Sequence, residues 1–260
     1  MPAINVAVQT RSVGLPLKRL LPLARQWGAC AVELDGRGEA KPNELSQTGR
    51  RQLRKLFDDY ELRVAAIGFR TRRGYDVTDD LERRVEATKA AMTLAYELGA
   101  SWVVNQVGRV PEKPEGPRWQ TLVEVLTDLG NYGQRAGALL AAETGSESPD
   151  DLARLLGALP RGVTGVCFNP GLLIINGFSP LDAVAALGSS VSYVHAQDGV
   201  RDLAQGRGIE VQLGRGSADF PALLGALEEH DYRGYWTIQR EKSDRPVSEI
   251  ADAASYLKSL

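Results

Sequence analysis

Short apolar runs closed by polar residues alternate along the chain with longer stretches whose apolar positions recur every three to four residues. The first pattern predicts buried strands and the second amphipathic helices. Residues 4–10 form one short run, and 16–28 carry Leu20, Leu21, Leu23 and Ala24 at helical spacing. The pair recurs at 31–36 and 43–60, where Leu53, Leu56 and Phe57 share a face. It recurs again at 63–69 and 79–98, a long helix with Thr78 as its expected cap and Gly99 as its stop. Residues 102–107 and 117–135 make a fourth pair. In the second half, strands are predicted at 138–144, 164–169, 191–198 and 234–239, the third of these ended by a turn at Asp198-Gly199. Ser148-Pro149 and Ser179-Pro180 open helices with a serine cap followed by a first-turn proline, and 217–230 and 246–260 supply the last two helices.

This makes eight strand-then-helix units with no Pro-, Gly- or Ser-rich linker and no break in composition between them. Alternation of this kind predicts an α/β protein with a parallel sheet. Eight units predict a single closed (β/α)8 TIM barrel, one domain over residues 1–260. A doubly wound sheet fits less well, because no glycine-rich dinucleotide turn follows the first strand.

Composition narrows the function. The chain sets 31 basic against 33 acidic residues, a formal charge of -2, with a sequence pI near 5.8 and no long block of one sign. Neither a nucleic acid nor a membrane surface is expected as a partner. Cys30 and Cys167 lie in apolar runs, as reduced buried thiols do. The first ten residues lack the basic flank and long apolar core of a signal peptide, and no apolar stretch is long enough to span a bilayer. A cytoplasmic protein is expected.

In such a barrel, chemistry sits where the strands end on the C-terminal side. The polar residues that close the runs are Glu33 and Asp35, Asn105 and Gln106, Glu143, Asn169, His195 with Gln197 and Asp198, and Gln239 with Glu241. A buried imidazole needs a hydrogen-bond or metal partner, so His195, one of only two histidines, marks the place to look. Glu143, Asn169, His195 and Gln239 come from the last four strands. One imidazole nitrogen with several oxygens is a shell that Mg, Mn or Zn can use. Arg70, Arg72 and Arg73 follow the third strand and offer a phosphate or carboxylate a contact, although a charged loop is more often simply solvated. Leu213-Gly214-Arg215-Gly216-Ser217 is read as a tight turn and helix cap in preference to a phosphate cradle. Trp102, Trp119 and Trp236 are read as packing residues.

Several motifs, in this order, carry a family resemblance over essentially the whole chain. They are Ala31-Val32-Glu33-Leu34-Asp35, Leu94-Ala95-Tyr96-Glu97-Leu98-Gly99-Ala100, Glu143, Phe168-Asn169-Pro170-Gly171, His195-Ala196-Gln197-Asp198, Leu213-Gly214-Arg215-Gly216 and Tyr235-Trp236-Thr237-Ile238-Gln239-Arg240-Glu241. The sequence resembles the xylose-isomerase-like TIM-barrel sugar isomerases and epimerases, a family that also includes endonuclease IV. The resemblance implies a divalent metal held by Glu, Asp, His and Glu from strands five to eight, with the two glutamates moving protons beside a sugar carbonyl. Glu143 and His195 stand at the family's Glu and His. Asn169 stands where the family has Asp, Gln239 where it has Glu, Leu172 where a second histidine often follows, and Gln197 where a lysine often follows. An amide keeps the shape of a carboxylate but neither its charge nor its basicity, so metal binding at Glu143, Asn169, His195 and Gln239 is expected to be weak or absent.

The leading expectation is therefore a sugar isomerase or epimerase acting on a small sugar, sugar phosphate or polyol, with Glu143 and His195 catalytic and Glu33, Asn105, Arg201 and Glu241 binding substrate. A divalent metal, if any, would be the cofactor. The alternative is a non-catalytic or repurposed barrel that binds carbohydrate without metal, its signal being the amide pair. Glu241 and Asp198 are the acids placed to restore the missing charge. A DNA-repair nuclease would need more histidines and a basic surface. A homo-oligomer is compatible with the sequence.

Overall fold

The computed structural model describes residues 4–202 and 207–260; residues 1–3, part of the leader argument above, lie outside them. The chain runs β1 (Asn5–Gln9), α1 (Thr10–Val13), α2 (Leu17–Gln26), β2 (Ala31–Asp35), α3 (Gln47–Asp59), β3 (Arg63–Gly68) and α4 (Leu81–Glu97). It continues through β4 (Trp102–Asn105), α5 (Pro117–Ala136), β5 (Leu139–Glu143), α6 (Pro149–Gly157), β6 (Thr164–Phe168), α7 (Pro170–Ile175) and α8 (Pro180–Leu187). A turn of 3₁₀ helix leads to β7 (Val191–Ala196), β8 (Asp198–Val200), β9 (Ile209–Val211), α9 (Phe220–Glu229), β10 (Tyr235–Ile238) and α10 (Pro246–Ser259). Eight strands close a parallel barrel in the order β1-β10-β7-β6-β5-β4-β3-β2, while β8 and β9 form a separate antiparallel pair. The (β/α)8 barrel predicted from the alternation is the observed fold.

The strand alternation sorts side chains to two faces. Val6, Val8, Val32, Leu34, Leu140, Val194 and Ile238 point outward into the large core beneath the helices. The inward positions below the mouth are small: Ala7, Ala31, Ala65, Ala66 and Ala141, with Val104 and Cys167, form the barrel's own core around Tyr193. The Tyr193 hydroxyl accepts from Thr237 Oγ1 at 2.6 Å, closing the lumen under the polar layer. The register slips by one residue at Val32/Glu33 and at Val166/Cys167. The extra residues are Ala65 on β3 and Ser192 on β7, and a bulge re-aims the strand that carries it, so Ala65 and Ala66 both reach the inner core.

Several local expectations are corrected. Helix α4 starts at Leu81, after Asp80 in the left-handed region (φ 52°), and Thr78 does not cap it. Asp198-Gly199 is no closing turn but half of the β8/β9 hairpin. Its carboxylate accepts the backbone N–H groups of Gly199, Gly214, Gly216 and Ala218 at 2.8–3.1 Å. The glycine turn at 213–217 thus wraps an internal carboxylate, which fills the place an external phosphate would take. The serine caps at Ser148 and Ser179 are present as expected. Cys167 is buried, whereas Cys30 is only half-buried. Trp119 and Trp236 belong to the outer core, and Trp102 packs against the inner one. No helix among the described residues is long and apolar enough to cross a membrane.

Candidate active site

The inward parity that places alanines low in the barrel places Gln9, Glu33, Glu143, Asn169, His195 and Gln239 above them. All six are at most 4 % exposed. A buried polar layer of this size survives only if its members satisfy one another, and these do. His195 Nδ1 lies 2.6 Å from Glu143 Oε1, and its Nε2 lies 2.7 Å from Glu33 Oε2. The ring is clamped between carboxylates contributed by strands on opposite sides of the barrel.

The clamp fixes the protonation state. Burial raises both carboxyls and lowers the imidazole, but the mutual attraction outweighs it: Glu143 is held down at about 2, Glu33 is lowered, and His195 is raised well above 6.5. The Cys167 sulfur also touches His195 and adds to its upward push, but burial holds that thiol at about 11. A neutral thiol leaves the two carboxylates to hold the charge on His195 at pH 7. The triad is thus carboxylate, imidazolium, carboxylate, and both ring nitrogens act as donors.

The rest of the layer continues from both ends of the triad. Gln9 Nε2 donates to Glu33 Oε1 at 2.8 Å, and Ser12 Oγ donates to Gln9 Oε1 at 2.7 Å. On the other side, Asn169 Nδ2 donates to Glu143 Oε1 at 3.0 Å and to Gln239 Oε1 at 2.9 Å, while Gln239 Nε2 donates to Glu241 Oε1 at 2.9 Å. Glu241 pairs with Arg70, which reaches across from β3. Asn169 is oriented by its own helix: it caps α7, and its Oδ1 accepts the Leu172 N–H at 2.9 Å. With the oxygen so engaged, the amide nitrogen must face Glu143 and the centre of the layer.

The expected site residues therefore divide. Glu33, Glu143, Asn169, His195, Gln239 and Glu241 come together. Asn105 does not join them. By parity it follows inward-facing Val104, so it points outward, where its Nδ2 donates to Thr71 Oγ1 and Tyr75 Oη and its Oδ1 accepts from Thr71 N. Arg201 is exposed at the rim beside Gly177. Asp198 is committed to its loop and does not approach the layer, while Glu241 reaches only Gln239 and Arg70.

Two participants, and one buried acid near them, were not among the expected site residues. Gln9 closes the first strand and follows from the rule that found the others. Cys167 lies two residues before Asn169 on the same inward face; Glu143, Cys167 and His195 have ligand atoms all within 4.8 Å of one another, but burial keeps the thiol protonated and both ring nitrogens are engaged by carboxylates. Glu147, in the loop after β5, is 6 % exposed, and burial pushes its carboxyl up to about 7. No sequence signal marks Glu147, because a glutamate before a capping serine reads as solvated.

The space above Glu33 is small, about 10 Å³ between Gln9, Arg11, Glu33, Asp35, Gly68 and Arg70. Arg70, paired with Glu241, forms one of its walls. A cavity of about 470 Å³ opens at the opposite end of the barrel, away from these groups, under Tyr193 and Tyr235.

Residues 21–260 match the profile of the xylose isomerase-like TIM barrel family. The rhizopine catabolism protein MocC of Rhizobium meliloti is 26 % identical over 256 residues, covering 87 % of this chain and 75 % of that protein. An inosose dehydratase of Clostridium beijerinckii is 20 % identical over 239 residues, 79 % of each. Among solved structures, a xylose isomerase domain protein from Planctomyces limnophilus superposes with a TM-score of 0.87 at 25 % identity, covering 99 % of this chain and 96 % of that one.

Proposed function

The chain belongs to the xylose isomerase-like TIM barrel family, and we propose that it moves a proton beside the carbonyl of a small sugar or polyol, using Glu143 and His195 without a metal. Epimerisation, isomerisation and dehydration of keto-sugars share one first step, removal of the proton next to the carbonyl. The relatives named as inosose dehydratases fall in that class. The observation that carries the reading is the clamp of His195 between Glu33 and Glu143.

A carboxylate held at about 2 is a feeble base while its imidazolium partner is charged. Basicity returns when that charge leaves. If the substrate carbonyl takes the place of Glu143 on the His195 Nδ1–H, and His195 gives that proton to the carbonyl oxygen as Glu143 takes one from the neighbouring carbon, the substrate becomes an enediol, Glu143 a neutral acid and His195 a neutral ring. Each transfer favours the other, because losing the imidazolium charge raises Glu143 at the moment it must accept. Glu33, Gln9 and the outer amides position the ring and hold it against rotation.

The donor set fits a divalent ion poorly. Both ring nitrogens carry protons, and Asn169 presents its NH₂ where a cation would need an oxygen. The Glu33 carboxylate raises the charge of the layer above that expected from Glu143 alone, yet the imidazolium cancels one of the two. Incubation with D-allulose or an inosose in D₂O, read by NMR, tests the reading. Deuterium is expected beside the carbonyl with EDTA present, and Glu143→Gln is expected to slow its entry by at least about 100-fold. Binding without any exchange would instead support a carbohydrate-binding barrel, the reading for which the amides at Asn169 and Gln239 speak.

A further inference from the structure

Beside the mouth, the loops after β2 and β3 and the first turns of α4 enclose a pocket of about 810 Å³. Arg37, Arg70, Arg72, Arg73, Arg83 and Arg84 line it, and Asp80 is the acid among them. Arg70 is paired with Glu241 and Arg73 with Asp79. Arg37, Arg72 and Arg83 have no ion-pair partner among the described residues. Arg37 Cζ sits over the Phe69 ring, 4.0 Å from its centroid, and its Nε donates to the Arg70 carbonyl, which holds the guanidinium at the wall.

The loop that carries these arginines is anchored, unlike a solvated charge run. Tyr75 is fully buried, with its hydroxyl between Thr88 and Asn105. Gly74 packs so closely on Gly108 that a Cβ there would lie 2.1 Å from the Gly108 Cα. Arg84 gathers the carbonyls of Gly74, Val77 and Asp79, while its buried Nε has no partner. Six guanidiniums around one pocket, Arg37 held at its wall and Arg72 and Arg83 free to turn toward it, attract an anion, since an unengaged guanidinium can present paired donors to phosphate or carboxylate oxygens. A volume of this size suits a small molecule.

We infer that this pocket is an anion subsite, and that the substrate carries a phosphate or carboxylate which it holds. Arg70 links the subsite to the chemistry: it lines both this pocket and the space above Glu33. An anion that draws Arg70 away from Glu241 also moves a wall of that space. Only the identification of the anion as part of a substrate rests on the proton-transfer reading; the existence of the subsite does not.

Calorimetric titration of inorganic phosphate, D-fructose 6-phosphate, D-gluconate and D-fructose into the wild type and Arg72→Ala/Arg83→Ala tests it. Both arginines are exposed and unpaired, so the variant should fold. At least about tenfold weaker binding of the anionic probes is expected, with any binding of D-fructose unchanged. Tighter binding of the phosphate ester or of gluconate tells which anion the pocket takes. Arg51→Ala/Arg54→Ala, on the exposed face of α3, removes equal charge elsewhere. The subsite is overturned if no anion binds the wild type or if this control weakens binding as much. If the arginine dependence holds but no ketose, phosphorylated or not, takes up deuterium, the proton-transfer reading alone fails.

Discussion

Replacing His195 with glutamine is expected to lower the stability of the barrel by about 3–5 kcal/mol at pH 7, and to make that stability climb as pH falls from about 6.5 to 5, where the wild-type clamp contributes a constant amount. Among the described residues, the imidazolium is the only cation paired with Glu33 and Glu143, whose side chains are 2 % and 3 % exposed. Glutamine offers one of them an N–H and neither a charge. Two buried carboxylates would then face each other across the lumen, and mutual repulsion adds to the desolvation that already opposes their ionisation.

The pH dependence separates this from ordinary cavity formation. In the wild type, His195 is raised above 6.5, so its contribution is complete below that value and is lost only as pH rises through the higher folded value. Glu143 is lowered from 4.5 to about 2, so its contribution is complete above 4.5 and is lost as pH falls through about 2. Both hold at full strength between about pH 4.5 and 6.5, and the clamp persists through neutral pH. In His195→Gln the carboxyls are raised instead, so protonation relieves the strain and stability should climb as pH falls from 7 to 5. Urea unfolding at about pH 5, 6 and 7 measures both slopes. Parallel curves, or a loss under about 1 kcal/mol at pH 7, would mean that no buried ion triplet is present.

The parts legible in sequence were those set by local periodicity. Apolar runs and 3.6-residue helices were enough to count eight units, and the polar residues ending the last four strands were enough to find Glu143, Asn169, His195 and Gln239. Parity within a strand also carried information that strand ends alone do not. Asn105 and Gln239 both close apolar runs, but Asn105 is one residue past an inward Val104, whereas Gln239 is two past an inward Thr237. The contact that matters most was out of reach for a different reason. Glu33 and His195 are 162 positions apart, and only closure of the sheet with its stagger, including the slip after Val32, brings their tips together. The orientation of Asn169 was equally hidden, because it depends on the Leu172 N–H, which takes the Asn169 oxygen. In sequence an asparagine before Pro-Gly reads as a turn; in the fold that capping role decides which end of the amide the site sees.

On the metal-free reading proposed above, two amides, Asn169 and Gln239, are what keeps a dication out of the layer. The double change Asn169→Asp with Gln239→Glu is expected to raise Mn²⁺ affinity at least about 100-fold over the wild type. Aspartate can keep one oxygen on the Leu172 N–H and so preserve the cap of α7. Its other oxygen then replaces an NH₂ that donated to Glu143 and to residue 239, turning two attractions into repulsions. Glutamate at 239 adds a second negative charge and withdraws the N–H that Glu241 accepted. Without an ion the variant should be less stable than the wild type. A dication offsets that repulsion, and it must also displace the Nδ1 proton that His195 shares with Glu143. Binding should therefore release a proton, and the apparent calorimetric enthalpy should change with the ionisation enthalpy of the buffer. Each single change should fall between the wild type and the pair. Should the double variant bind Mn²⁺ no more tightly than the wild type, the amides at 169 and 239 are not what keeps the metal out. The clamp of His195 by Glu33 would then be the remaining barrier, because it occupies the second ring nitrogen whatever residues stand at 169 and 239.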